Sequence, residues 1–213
     1  KQGIAWTNEV ANGLAQFKNG KAFGLYSWTE WWPEQCKTYN IRFFPMLKTY
    51  EKRDKFKNAV KKGYGNNYLM GPNEVNLKSQ ANMSPGRAAW MFRTYLIPLK
   101  NKYGYKLVGP STANGNSALT WYDSFRKTAP DVWSKIDAIN VHYYGLDANL
   151  VTAWMEKFHS RYGKNIWLTE YACHSFTGKG KCSSSQALAF MKTIAKFCES
   201  KSWCETHMIY GAF

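Results

Sequence analysis

Eight short apolar runs punctuate the chain, and most gaps between them have room for a helix. The runs are 2–6, 22–28, 41–47, 67–73, 105–111, 137–144, 165–170 and 207–213. Apolar runs this short, bounded by turn residues, read as fully buried strands. Strands alternating with helices imply a parallel sheet, and eight of them imply one closed on itself. The expected fold class is α/β, a compact (β/α)8 TIM barrel formed by residues 1–213 as a single domain. At 213 residues it sits at the low end of the size range for such barrels. Some outer helices must therefore be short or missing. The gap 29–40 holds barely two helical turns, and the sequence ends at the eighth run. No glycine-rich phosphate fingerprint follows the first run, which argues against a dinucleotide-binding fold.

The gaps carry helix signals. Asn8 caps a segment reaching Phe17, and a basic stretch over 51–62 stops at Gly63. Ser84 and Pro85 mark the best helix start in the chain. Ala88, Ala89, Phe92, Tyr95, Leu96 and Leu99 then fall on one helical face, which Gly104 ends. Further helices are expected over 117–127, 149–162 and 184–201, with a turn around Pro130.

Composition narrows the partners. The chain is 45% hydrophobic and 17% aromatic, which argues against disorder. No run is long enough for a membrane span. No leader opens the sequence, so a secreted protein is expected to stand here in its processed form. The net charge of +15 raises the question of an anionic partner. Its densest cluster comprises Lys48, Lys52, Arg53, Lys55, Lys57, Lys61 and Lys62. Without a nucleic-acid-binding signature, this reads as a solvated helix face. A monomer with neither nucleic-acid nor membrane partners is expected. Of five cysteines, Cys173 with Cys182 and Cys198 with Cys204 are spaced for local disulfides, implying an oxidising compartment. Cys36 is left as a buried free thiol. No cysteine or histidine spacing fits a metal site.

The chemistry lies at two strand tips. Tyr68-Leu-Met-Gly-Pro-Asn-Glu74 and Ile166-Trp-Leu-Thr-Glu170 each end an apolar run in one glutamate. A polar residue at the C-terminal tip of a buried parallel strand is how barrel enzymes present catalytic groups. Most of the other acids fall in helices, at helix starts or, like Asp137, at the opening of a strand; Glu30 and Asp147 are loosely placed in loops. Two facing carboxylates are what glycoside hydrolysis needs, and a separation of about 5–5.5 Å would mean retention of configuration. Tyr26, Trp28, Trp31, Trp32, Tyr143, Tyr144 and Tyr171 cluster at the same strand ends, where aromatic faces could pack on sugar rings. Asn73, Asn114 and His142 could meet sugar hydroxyls.

These segments resemble the clan A retaining glycoside hydrolases through Asn73-Glu74 and Thr169-Glu170. More narrowly, the chain resembles glycoside hydrolase family 128, the endo-β-1,3-glucanases. The resembling stretches are 1–6, Tyr26-Ser27-Trp28, Phe44-Pro45-Met46-Leu47, Gly71–Glu74, Ser79–Pro85, His142–Gly145 and Trp167–Glu170, in order along nearly the whole chain. The resemblance implies Glu74 as acid/base, Glu170 as nucleophile, Asn73 near the substrate 2-hydroxyl, and Tyr143 or Tyr144 orienting the nucleophile. It implies no metal or cofactor, β-1,3-glucan as substrate, and a secreted or cell-wall location.

The sequence departs from the family at Val75-Asn76, where Pro-Asp is usual, at Ser27 in place of Asn, and at Lys48, where Trp is frequent. These changes leave both carboxylates intact and the subsites open. Two rivals remain at this level: another β-glycan hydrolase of the clan, such as a β-1,4-glucanase or mannanase, and a non-catalytic glucan-binding or defence protein. A basic protein acting on anionic surfaces is a third.

Overall fold

The computed structural model describes residues 1–7, 11–18, 20–178 and 180–211. Its strands are β1 (Gln2–Ala5), β2 (Gly24–Tyr26), β3 (Arg42–Phe43), β4 (Tyr68–Met70), β5 (Lys106–Thr112), β6 (Ala138–Gly145), β7 (Asn165–Ser175), β8 (Gly180–Lys181) and β9 (Cys204–Tyr210). All eight predicted runs contain a strand. The eighth is displaced toward the N-terminus relative to the expected 207–213, whose last two residues lie outside the described residues. The addition is β8, which folds back antiparallel on the end of β7.

The other strands pair in parallel in the order β3-β2-β1-β9-β7-β6-β5-β4. A parallel bridge between Met46 and Met70 joins the two ends and closes the barrel. Its interior is filled by Ala5, Tyr26, Phe44, Met46, Met70, Val108, Ala138, Trp167 and Met208, drawn from all around the sheet. A larger apolar layer lies between the sheet and the helices. A third cluster packs Cys36, Trp6 and Leu25 around β1–β3.

The helices are α1 (Gln35–Thr38), α2 (Arg53–Ala59), α3 (Pro85–Met91), α4 (Ile97–Tyr103), α5 (Asn116–Thr128), α6 (Pro130–Lys135), α7 (Ala148–Tyr162) and α8 (Ser184–Ser200). The gap 29–40 yields only the four-residue α1. The Ser84 hydroxyl caps α3 by accepting from the Arg87 amide. A π-turn over Phe92–Leu96 separates α3 from α4, so the expected continuous helix is interrupted before Pro98. The expected Asn8 cap lies outside the described residues, and Ala11–Phe17 forms a 3-10 helix. No helix among the described residues is long and apolar enough to cross a membrane.

Cys173 and Cys182 are bonded and pin the β7–β8 hairpin. Cys36 is a buried free thiol, pushed up to about 12 by desolvation. The expected Cys198–Cys204 disulfide is corrected: both are buried free thiols. The Cys204 side chain hydrogen-bonds Cys198, and that contact together with burial raises the Cys198 thiol far above its ordinary range.

Candidate active site

At the C-terminal ends of the strands lies a cleft of about 1080 Å³. Its walls include Trp28, Asn73, Glu74, Tyr144 and Glu170, with Lys48 alongside. The Glu74 tip is built by the backbone that follows β4. Gly71 is required there, because a Cβ would stand 2.6 Å from the Phe92 ring. Glu74 takes a left-handed φ of 44°, unusual for a side chain with a Cβ. Its amide donates to Ser111 Oγ at 2.8 Å, and that hydroxyl donates to Asn73 Oδ1 at 3.1 Å. The Asn73 amide donates to the Lys48 carbonyl, and the Val75 amide to the Ser111 carbonyl. The strained tip is thus over-determined by its neighbours, as expected where backbone strain serves a site.

Glu170 is aimed by a different device. Along β7, Ile166 faces the helix layer, Trp167 the barrel interior and Leu168 the helices again. Simple alternation would then turn Glu170 outward and Tyr171 inward. The pairing with β6 slips instead: Val141 faces Leu168, and His142 faces Glu170. Thr169 is the extra residue of this β-bulge. Thr169 and Glu170 consequently both meet interior partners, and Tyr171 goes outward.

Three donors hold the Glu170 carboxylate. Tyr26 Oη and Trp28 Nε1 donate to Oε1 at 2.9 and 2.7 Å, and Tyr144 Oη donates to Oε2 at 2.6 Å. Burial first, and the Glu170 charge second, raise both phenols far above the usual tyrosine range, so both remain donors. Trp28 also has a left-handed φ, 55°. Three donors fix the position and orientation of this carboxylate. Glu74 has a different neighbour: its Oε1 lies 3.0 Å from His142 Nδ1, which is 3.5 Å from Glu170 Oε1. A carboxylate oxygen from each glutamate and a His142 ring nitrogen all lie within 4.8 Å of one another. This trio is also the group with metal-ligating chemistry among the described residues. All three members are engaged in the hydrogen bonds just given.

The other predicted residues divide. Asn73 lines the cleft, and its Nδ2 reaches Gln80 Oε1 at 3.4 Å. Asn114 lines it too, but its amide is spent bracing the Tyr144 backbone at both N–H and C=O. Tyr26 and His142 are fully buried and brace the carboxylates from behind. Tyr143 and Tyr171 are corrections. Tyr143 alternates outward from His142 and Tyr144 and packs on Trp154 of α7. Tyr171, re-phased by the bulge, donates to or accepts from His207 Nδ1 at 3.0 Å and packs near Phe190. Trp31 is likewise displaced: it is exposed and stands outside the cleft lining, its amide held by the Thr29 hydroxyl.

Ser111, Asn140 and the Thr169 hydroxyl are buried parts of the site that residue type alone did not single out. Ser111 lay within a predicted strand, where nothing but its apolar surroundings marked it. Phe176 and Leu146 form an exposed apolar rim of the cleft. They lie in loops after β7 and β6, the usual place for barrel function.

The glycosyl hydrolase catalytic core family model matches residues 3–212. The chain belongs to that family. The chain has solved structural relatives over nearly all of its length. A GH128 (subgroup V) exo-β-1,3-glucanase from Cryptococcus neoformans superposes with a TM-score of 0.85 at 23% identity, covering 100% of this chain and 85% of that one. A GH128 (subgroup I) endo-β-1,3-glucanase from Amycolatopsis mediterranei, solved with laminaritriose, gives 0.77 at 24% identity, covering 99% and 88%. Alkali-sensitive linkage protein 1 of Schizosaccharomyces pombe is 24% identical over 208 residues, 97% of this chain. The chain spans 38% of that relative's length.

Proposed function

We propose that the protein is a retaining β-1,3-glucan hydrolase, endo-acting and secreted, that works as a monomer by double displacement. The observation that carries this reading is the asymmetry of two close carboxylates. Glu170 is held by three donors and suits a charged nucleophile. Glu74, nearby, has His142 beside it and suits the proton-bearing acid. An oxygen–oxygen approach within 4.8 Å supports a retaining pair more than a pair spaced for an intervening water.

Glu170 attacks the anomeric carbon as Glu74 protonates the departing glycosidic oxygen, and the sugar–oxygen bond breaks. A covalent glycosyl–enzyme results. Glu74, now a carboxylate, takes a proton from water, whose oxygen attacks the same carbon and releases Glu170. Asn73 stands where it can meet the sugar hydroxyl next to the reacting carbon. The β-1,3 linkage is supported by the glucanases that share the fold, and secretion by the Cys173–Cys182 disulfide.

Laminarin digestion tests the reading, with reducing ends and product sizes followed for wild type, Glu74→Gln and Glu170→Gln. Mixed short oligosaccharides from wild type and a loss of about a thousandfold or more in each variant are expected. Release of one product size only would remove endo action. Inertness on laminarin with activity on another β-glycan would remove the linkage, and silence on every glycan would remove hydrolysis.

A further inference from the structure

A line of buried hydrogen bonds runs behind the acid and ends at an amide. His142 Nδ1 faces Glu74 Oε1 at 3.0 Å, and Nε2 faces Thr169 Oγ1 at 2.9 Å. Thr169 Oγ1 in turn donates to Asn140 Oδ1 at 2.6 Å. His142, Thr169 and Asn140 are all fully buried, so water does not scramble the direction of these bonds. A hydroxyl has one hydrogen. Since Thr169 gives it to Asn140, Thr169 can only accept from His142. Nε2 must then carry a hydrogen, and the neutral ring presents a bare Nδ1 to Glu74.

We propose that Asn140 and Thr169 are positioning residues that fix His142 as the Nε2–H tautomer and thereby keep the shared proton on the Glu74 carboxyl. With Nδ1 bare, the short contact to Glu74 Oε1 is a hydrogen bond only if the carboxyl donates. The reverse tautomer would point Nδ1–H at Glu74 and favour its ionised form, the wrong state for the first step. Ring protonation would place a cation in a fully buried position, whereas a neutral acid beside a neutral ring separates no charge there.

The titratable groups facing His142 are Glu74 from the β4 tip and Glu170 from β7. Behind Glu170 stand Tyr26 of β2 and Tyr144 of β6. Glu170 Oε1 already accepts from Tyr26 and Trp28, so Glu74 is the nearer and less occupied partner of Nδ1. The β7 bulge is what makes the line possible, because it turns Thr169 toward His142 while keeping Glu170 in the cleft.

The consequence for turnover rests on the hydrolase reading, but the tautomer does not. The first test is therefore the nitrogen NMR spectrum of the whole protein with 15N-labelled histidine, the His142 signals being those lost in His142→Gln. Four histidines make the assignment tractable. The expected result is protonated Nε2 and unprotonated Nδ1 near neutral pH. An Nδ1–H ring or an imidazolium would overturn the proposal, whatever the activity on glucan.

The second test is Thr169→Val beside Thr169→Ser. In Thr169→Val the tautomer should become mixed or reverse, and kcat should fall by about tenfold or more, with KM within about twofold. The alkaline limb of its pH–rate profile should move to lower pH, because the acid loses its proton sooner. Thr169→Ser keeps a hydroxyl and should restore all three. An unchanged tautomer and pH profile in a folded Thr169→Val would reduce Thr169 to packing. Correct tautomer without glucan hydrolysis would leave the relay standing and sink the enzymatic reading alone.

Discussion

Ser111 Oγ receives the Glu74 amide hydrogen at 2.8 Å, across the gap between two adjacent strands. The same hydroxyl donates to Asn73 Oδ1. One buried side chain thus holds a residue with a left-handed backbone and orients its neighbour. Ser111→Ala leaves that amide without its acceptor and Asn73 Oδ1 without its donor. The expected cost is about 1–3 kcal/mol of stability, read by denaturant unfolding. Laminarin kcat/KM should drop by roughly tenfold or more as the Glu74 tip relaxes.

Tyr144 gives Glu170 its shortest hydrogen bond, 2.6 Å. Tyr144→Phe keeps the ring against Tyr210 and Phe176 but removes the donor. A hydrogen bond to a charged group is worth about 2 kcal/mol, so kcat should fall roughly thirtyfold. Steady-state kinetics with laminari-oligosaccharides check this, and unchanged kcat would show that Tyr26 and Trp28 suffice to hold the nucleophile.

The Cys173–Cys182 bond pins the hairpin that carries Phe176 over the cleft. Removing both cysteines as Cys173→Ala with Cys182→Ala should cost about 2 kcal/mol, or roughly 4–8 °C in melting temperature. Glu170 lies below the hairpin in the barrel, so kcat should hold while KM for long laminarin chains rises. Equal losses in kcat would tie the hairpin to the reacting centre instead.

His207 sets a pH dependence of stability. Burial is the main cause that lowers it from an ordinary value of 6.5 to about 4. Between those values the unfolded chain binds the proton and the folded chain does not. Stability contributed by the neutral ring is therefore complete above pH 6.5 and lost as pH falls toward 4, by about 3 kcal/mol. Urea unfolding across this range should show the decline, and His207→Gln should flatten it. A decline of the same size in the variant would assign the effect to carboxylates.

Much of the architecture was legible because it depends on local pattern. Each predicted apolar run contains a strand, and the Ser84 and Gly104 signals sit at helix ends where capping chemistry puts them. The helical interruption before Pro98 was not legible, since a π-turn changes hydrogen bonding without changing the apolar face. The Cys198–Cys204 pair shows the same limit: spacing brings the sulfurs together, yet they stand as two buried thiols in hydrogen-bond contact, a state the spacing does not distinguish from a disulfide.

For the site, the sequence by itself determined which carboxylates stand at strand tips and which aromatic residues lie near them. Tyr143, expected beside Tyr144, instead turns away from it onto Trp154, because successive residues of β6 face opposite sides. Only the tertiary structure decided the partners of Glu170. A single extra residue on β7 shifts its pairing with β6, brings Thr169 and Glu170 both to the interior and sends Tyr171 into the outer core. Register is a relation between two strands, fixed when they pair, so no stretch read alone contains it. Nor can it show that Ser111, Asn140 and Thr169 share buried hydrogen bonds with Asn73, Glu74 and His142, because those contacts exist only once the barrel has closed.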